Sequence, residues 1–158
     1  MVLNTYQAKS GSFVSVWTIE IQTPIDDVDK ILDAVIAVHS LKYRRYQRNA
    51  SISGQGMETS QPEEGSTTTT HVETYAAGQA ETYPMVELKL SIERDVAVLE
   101  KVMDAIHYAH HYEEPVIFLR EDWASRAAYN PNSKNPSRWW NNGRGMPNKI
   151  ESTDGKTP

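Results

Sequence analysis

Cysteine is absent from all 158 residues. That excludes a disulfide framework, a thiolate metal site and a cysteine nucleophile. Cationic residues are in the minority, 16 Lys and Arg against 21 Asp and Glu, giving a formal charge of −5. An acidic balance argues against a general nucleic-acid binder, which needs a basic surface. Hydrophobic residues make up only 39%, and no run of 18 apolar residues exists to form a membrane-spanning helix. Residues 1–11 are polar and lack the apolar centre of a signal peptide. These deficits predict a soluble, cytoplasmic protein of one domain plus an appendage.

What is present has a β-α-β order repeated twice. Residues 1–12 read as a flexible lead-in. Phe13–Ile21 is β-branched and aromatic, the composition of a strand. Thr23 as N-cap, Pro24 at the first helical position and Asp26 and Asp27 near the positive dipole end predict a helix running to about His39. Val28, Ile31, Leu32, Val35 and Val38 mark its apolar face. Lys42–Ser53 reads as a polar strand. Residues 54–70 have no hydrophobic period and read as a long loop, functional or disordered. Glu73–Tyr75 is a short strand candidate, with a turn near Ala77-Gly78. Tyr83–Ser91 alternates, with Val86, Leu88 and Leu90 on one side. Asp95–Ala109 is a second amphipathic helix with Leu99, Val102, Met103 and Ile106 as its stripe. Pro115–Leu119 is a short apolar strand. This order predicts an α+β, ferredoxin-like βαββαβ sandwich over residues 13–120, with a long loop after the second strand.

Residues 121–158 differ. They hold Trp123, Trp139 and Trp140, six Asn and four Pro, and carry a net charge of +2 against −7 for residues 1–120. They read as a Trp-rich C-terminal extension packing on the body or on a neighbouring subunit. Asp122 would cap a helix from Trp123 to Tyr129, a second turn would span Trp139 and Trp140, and the chain beyond Met146 would be loose. Arg138 and Arg144 flank the tryptophan pair and could add cation–π contacts.

In a ferredoxin-like sheet the helices cover one face only. Phe13–Ile21 nevertheless places apolar residues on both: Val14 and Val16 on one, Phe13, Trp17, Ile19 and Ile21 on the other. An apolar second face needs cover, either from the extension or from further copies, so self-association is expected.

Two polar clusters are candidate sites. His107, His110 and His111 lie beside Glu113 and Glu114. His107 and His111 are four apart and could share a helix face to hold a divalent metal, Cu²⁺ or Zn²⁺, unless the helix ends by Ala109. The structural alternative gives these residues the task of turning the chain into the last strand. Arg44, Arg45 and Arg48, interleaved with Tyr46, form a basic strand suited to a small anion or to a salt-bridge ladder between subunits. Alternation would place Arg44, Tyr46 and Arg48 on one face. His39 and His71 are isolated. Glu113 and Glu114, adjacent in a strand, would point apart and could not work as a carboxylate pair. No nucleophile–base pair stands out, and neither a Walker A loop nor G-x-G-x-x-G occurs.

The run Ala109-His110-His111-Tyr112-Glu113-Glu114-Pro115 resembles the H-P-Y-E-E-P motif before the last strand of ferredoxin-like proteins of the CutA/PII type. These include the CutA-like divalent-cation-tolerance proteins, the small inserted domain of the Ngg-interacting-factor-three-like proteins and, more distantly, the PII signalling proteins. His111 stands where that motif has proline. Asp29–Ala34, Tyr43–Ser53 and Tyr83–Leu88 are similar to the inserted domain's first helix, second strand and third strand. The resemblance covers residues 13–120 and implies a homotrimer with a protruding loop at 54–70, a place for a protein partner. The large metal-binding domain around the inserted domain has no counterpart here, so its ligands are not carried over.

Three functions follow as expectations. The first is a non-enzymatic binding or regulatory protein, with ligand sites between subunits built from Arg44, Arg45, Arg48, Tyr46, His110, Tyr112 and Glu113. The second is a metal-binding protein using His107, His110 and His111. The third is a small enzyme or enzyme subunit whose active site forms only between chains. Neither nucleic acid nor a membrane is expected as a partner.

Overall fold

A computed structural model describes residues 7–143 and 145. The chain forms two compact units, the first ending at Ala127 and the second beginning at Ala128.

Alternation in two long strands sets up the first unit. β1 (Gln7–Ala8) turns back onto β2 (Gly11–Thr23), and β5 (Glu81–Glu93) lies antiparallel to β2 with Ile19 opposite Leu90 and Ile21 opposite Leu88. Side chains opposite one another share a face, so Trp17, Ile19 and Ile21 join Val86, Leu88, Leu90 and Ile92 on one side. That side is covered by α1 (Val28–Val38) and α3 (Val96–Ala109), which pack on each other. α1 buries Val28, Ile31, Leu32 and Val35, and α3 buries Val102, Ile106 and Ala109, so both stripes meet the sheet in one core. Full burial of each large aliphatic side chain contributes about 1.5–3 kcal/mol.

On its other edge β5 pairs first with β3 (Ala50–Ile52) and then with β4 (Gly56–Ser60), an edge interrupted at residues 53–55. β6 (Ile117–Ala127) pairs with β2 along its length. The sheet order is therefore β6-β2-β5-β3/β4, with both helices on one face, a ferredoxin-like βαββαβ arrangement. Gly11 pairs with Ala127 at the end of the β2–β6 ladder, and a Cβ there would stand 2.6 Å from the Arg126 carbonyl oxygen.

Several local expectations are corrected. Residues 7–12, expected as lead-in, form β1, a turn at Lys9-Ser10 and the start of β2; residues 1–6 lie outside the described residues. Thr23 does not cap α1: it is a buried end of β2, and a 3-10 turn (Ile25–Asp27) precedes the helix. Asp95, expected as the first residue of the second helix, is the N-cap of α3, accepting from Ala97 N–H at 2.9 Å and Val98 N–H at 3.3 Å. Lys42–Ser53 is not one strand. Leu41, Arg44 and Arg48 have φ of 46°, 59° and 54°, so the backbone turns at each. The alternation that put Arg44, Tyr46 and Arg48 on one face does not exist. The long loop after the second strand begins later and has structure: β4 and α2 (Thr67–His71) fall within residues 54–71, and Glu73–Tyr75 is not a strand. β6 continues through Asp122 and Trp123, so residues 121–127 are sheet and the expected helix from Trp123 is not formed.

The face away from the helices is more polar than expected. Glu20, nearly buried, accepts from Lys89 Nζ at 2.8 Å and Arg120 Nη2 at 2.9 Å. These hydrogen bonds, Lys89 first and then Arg120, hold its carboxyl below the ordinary range. Val14 and Phe118 remain exposed on the same face.

In the second unit, Asn141 Nδ2 donates to the carbonyls of Ser133 (2.7 Å) and Asn135 (2.9 Å). Trp139 and Trp140 meet edge to face with centroids 5.6 Å apart, each about half exposed. Arg144 and the segment beyond Met146 lie outside the described residues. Among the described residues no helix is long and apolar enough to cross a membrane.

Candidate functional site

α3 ends at Ala109, and His110 takes an extended conformation as its C-cap. The chain must then turn sharply to enter β6, and His110 makes that turn. Its Nδ1 accepts from the Tyr112 backbone N–H at 3.0 Å, which fixes the tautomer, and Nε2–H donates to the Gln22 carbonyl at 2.9 Å. Both ring nitrogens are engaged. Because the helix stops before it, His111 does not share a helix face with the exposed His107, and the i, i+4 metal geometry is not made. Among the described residues no group of three or more His, Asp or Glu is placed to hold a metal ion.

The His110 turn aims Tyr112 at β4. The Tyr112 hydroxyl donates to Glu58 Oε1. One residue on, Glu113 Oε2 accepts from the Thr67 hydroxyl and from the Thr67 backbone N–H at 3.3 Å. The turn at 110–116 is thus tied to β4 and to the first half of the excursion that leaves β4 and returns in β5. That excursion is closed on itself: Gly78 N–H donates to the Pro62 carbonyl at 2.9 Å, Ser66 caps α2, and the Tyr75 and Tyr83 hydroxyls meet at 2.5 Å.

Between excursion and turn lies an open cleft of about 1000 Å³. Tyr75, Tyr83 and Tyr112 give it aromatic walls, and Glu58, Glu63, Glu64, Glu113 and Glu114 line it with His71 and His111; among the described residues no Lys or Arg does. Burial, and then the bond to Tyr75, pushes the Tyr83 hydroxyl up to about 12. Burial, and then the carboxylate of Glu58, also raises Tyr112. Both hydroxyls stay protonated at neutral pH. They act as hydrogen-bond donors and not as bases.

The cationic cluster read from the sequence lies elsewhere. Tyr43 and Tyr46 exchange backbone hydrogen bonds of 2.7 and 3.0 Å around Arg44-Arg45, making a two-residue hairpin turn. The Tyr43 hydroxyl donates to the Ser125 carbonyl, and Arg126 stacks over the Tyr43 ring 4.0 Å from its centroid. Arg48 is committed to α1, paired with Asp33 and with Asp29 Oδ1 at 2.9 Å. Its guanidinium pKa is raised, chiefly by Asp33. Ser125 is opposite Phe13, whereas the His110 turn bonds Gln22. Nine residues of strand separate these points, roughly 30 Å. One chain therefore brings His110, Tyr112 and Glu113 together but places the turn of Arg44, Arg45 and Tyr46 toward the other end of the sheet and holds Arg48 on α1.

Sequence reasoning did not find Glu58, Tyr75 or Tyr83. The one available signal was Tyr83 at the head of an alternating strand. His39, read as isolated, bonds Glu93 Oε2 at 2.9 Å through Nε2.

No family model matches the chain, and neither does any curated protein sequence. Among solved structures, a Bacillus cereus protein related to NIF3 superposes with a TM-score of 0.54 at 20% identity, over 71% of this chain and 27% of its own. This chain thus spans about a quarter of that protein's length. The divalent ion tolerance protein CutA1 from Ehrlichia chaffeensis gives 0.47 at 12% identity, over 86% and 96% of the two chains. GlnK of B. subtilis gives 0.40 at 14%, over 69% and 86%. The likeness to the NIF3-related protein shows a shared fold: the chain has the ferredoxin-like fold of the matched quarter of that protein.

Proposed function

We propose that the chain is a non-enzymatic binding or regulatory protein that works as a trimer and takes a small polar ligand in clefts between subunits. The observation that carries this reading is the cleft beside Tyr112. Its walls are built by two segments cross-tied through Tyr112–Glu58 and Thr67–Glu113, so the cleft is held open before any ligand arrives. Preorganisation of that kind favours binding. The protonated tyrosines and the engaged His110 present donors and acceptors but no activated nucleophile or base. Assembly is supported by exposed Val14 and Phe118 on the sheet face that the helices leave open. Only a second copy can bring the arginines of one chain to the cleft of another.

Native mass spectrometry of freshly purified protein, followed by a thermal-shift panel of nucleotides, organic anions and amines, tests the proposal. A ligand present at a hundred times its Kd stabilises by about 2.7 kcal/mol, a shift of several degrees. A retained small molecule, or one responsive compound class lost in Tyr112→Phe, supports it. Flat melting curves across the panel together with a bare single chain would overturn it.

A further inference from the structure

The basic hairpin turn and the acidic cleft are complementary surfaces at opposite ends of one sheet, and no single chain can join them. We propose that the turn at Lys42–Tyr46 of one copy docks in the Tyr112 cleft of the next, head to tail, supplying the cations that the cleft lacks. The proposal rests on the trimeric reading above and names the elements that meet.

Two observations point to the turn as a docking element. It is clamped at both flanks, by Tyr43 on Ser125 and by Arg48 on Asp29 and Asp33. Arg44 and Tyr46 between the clamps, and Lys42 just before them, face solvent, with Tyr46 73% exposed. Its tip is also strained. A positive φ at the first central position and not at the second is the pattern of a type II′ turn, which favours glycine there. The chain carries Arg44 at φ 59° instead. A non-glycine residue held in that region is strained, so a charged side chain occupies a position where local stability would select glycine.

The receiving surface has the opposite sign. Glu63, Glu64 and Glu114 are exposed at the cleft, and tyrosine rings offer a guanidinium flat faces. A contact between two different patches of the same chain is heterologous, and it either closes into a ring or continues as a filament. Closure in threes would place one copy's Lys42 and Arg44 beside each Tyr112.

The test uses two charge reversals on the full chain, Lys42→Glu/Arg44→Glu and Glu63→Lys/Glu64→Lys, with circular dichroism as the folding check. Sedimentation velocity of wild type should show assembly that weakens with salt. Each reversal should raise the dissociation constant at least about tenfold. An equimolar mixture should restore assembly, because in a mixed pair the reversed turn meets the reversed cleft and the native turn meets the native cleft, so both joints carry opposite charges. If a reversal unfolds the chain, the neutral variants Lys42→Gln/Arg44→Gln and Glu63→Gln/Glu64→Gln should show a reduced salt dependence instead. Reversals that assemble like wild type, or a mixture that stays monomeric, would overturn the docking while leaving the trimeric reading intact. A wild type that is monomeric at every salt concentration would overturn both.

Discussion

The Tyr112 hydroxyl donates to the carboxylate of Glu58, fastening the turn before the last strand to a residue 54 positions earlier. Tyr112→Phe removes the donor and leaves a half-buried carboxylate short of a partner. The expected loss is about 1–2 kcal/mol in urea unfolding. Hydrogen exchange should quicken in residues 61–80 before it does in α1 or α3. Glu58→Gln keeps an acceptor and should lose less. Equal losses for the two variants would contradict this role for the bond.

His110 is expected to be the costliest polar residue to replace. His110→Ala strips a partner from the Gln22 carbonyl and from the Tyr112 N–H and leaves a cavity beside Ala109. A loss of about 2–4 kcal/mol follows from unsatisfied buried groups plus lost packing. Metal titration by calorimetry checks the competing role: stoichiometric Zn²⁺ or Cu²⁺ binding that His107→Ala and His111→Ala abolish would restore the metal reading.

Glu20 should make stability depend on pH at the acid end. Its folded pKa is depressed below the unfolded value, so its contribution is present above the unfolded pKa and is lost as pH falls through the folded pKa. Lys89 and Arg120 are nearly half exposed, which screens the pairs; Glu20→Gln should cost about 1 kcal/mol at neutral pH. The variant should also flatten the stability curve below pH 4.5, the ordinary carboxyl value. An unchanged acid limb in the variant would contradict the assignment.

How much of this was legible follows from burial. Val86, Leu88 and Leu90 alternate because one face of β5 is core, and Asp95 precedes a helical stripe, so β5 and α3 could be read with nearly their final bounds. β6 could not. Only Ile117 packs on the core, and the Arg-Glu-Asp-Trp that follows lies along a half-exposed strand where neither face imposes a period. The Tyr-Arg alternation of residues 43–48 imitated a strand, but the positive φ of Arg44 and Arg48 belongs to a turn held by Ser125 and α1. The motif at 110–115 pointed to one wall of the cleft. The other wall, Glu58 and the Tyr75–Tyr83 pair, depends on contacts far apart in the chain that no local pattern announces.

Arg44→Gly should relieve the left-handed strain. Below the concentration of assembly, the unfolding free energy should rise by about 1 kcal/mol, while self-association weakens. A variant that loses stability in the dissociated state would show that the turn is not strained at Arg44.

Gly11→Ala should destabilise through backbone crowding, because its Cβ would press on the Arg126 carbonyl and part β2 from β6. A loss of about 1–3 kcal/mol in thermal or urea unfolding is expected. An unchanged midpoint would mean that the strands adjust freely there.

Sedimentation equilibrium of the wild-type chain at micromolar concentration tests the central claim most directly. The account expects a species of three chains at physiological salt; a single chain throughout the concentration range would contradict it.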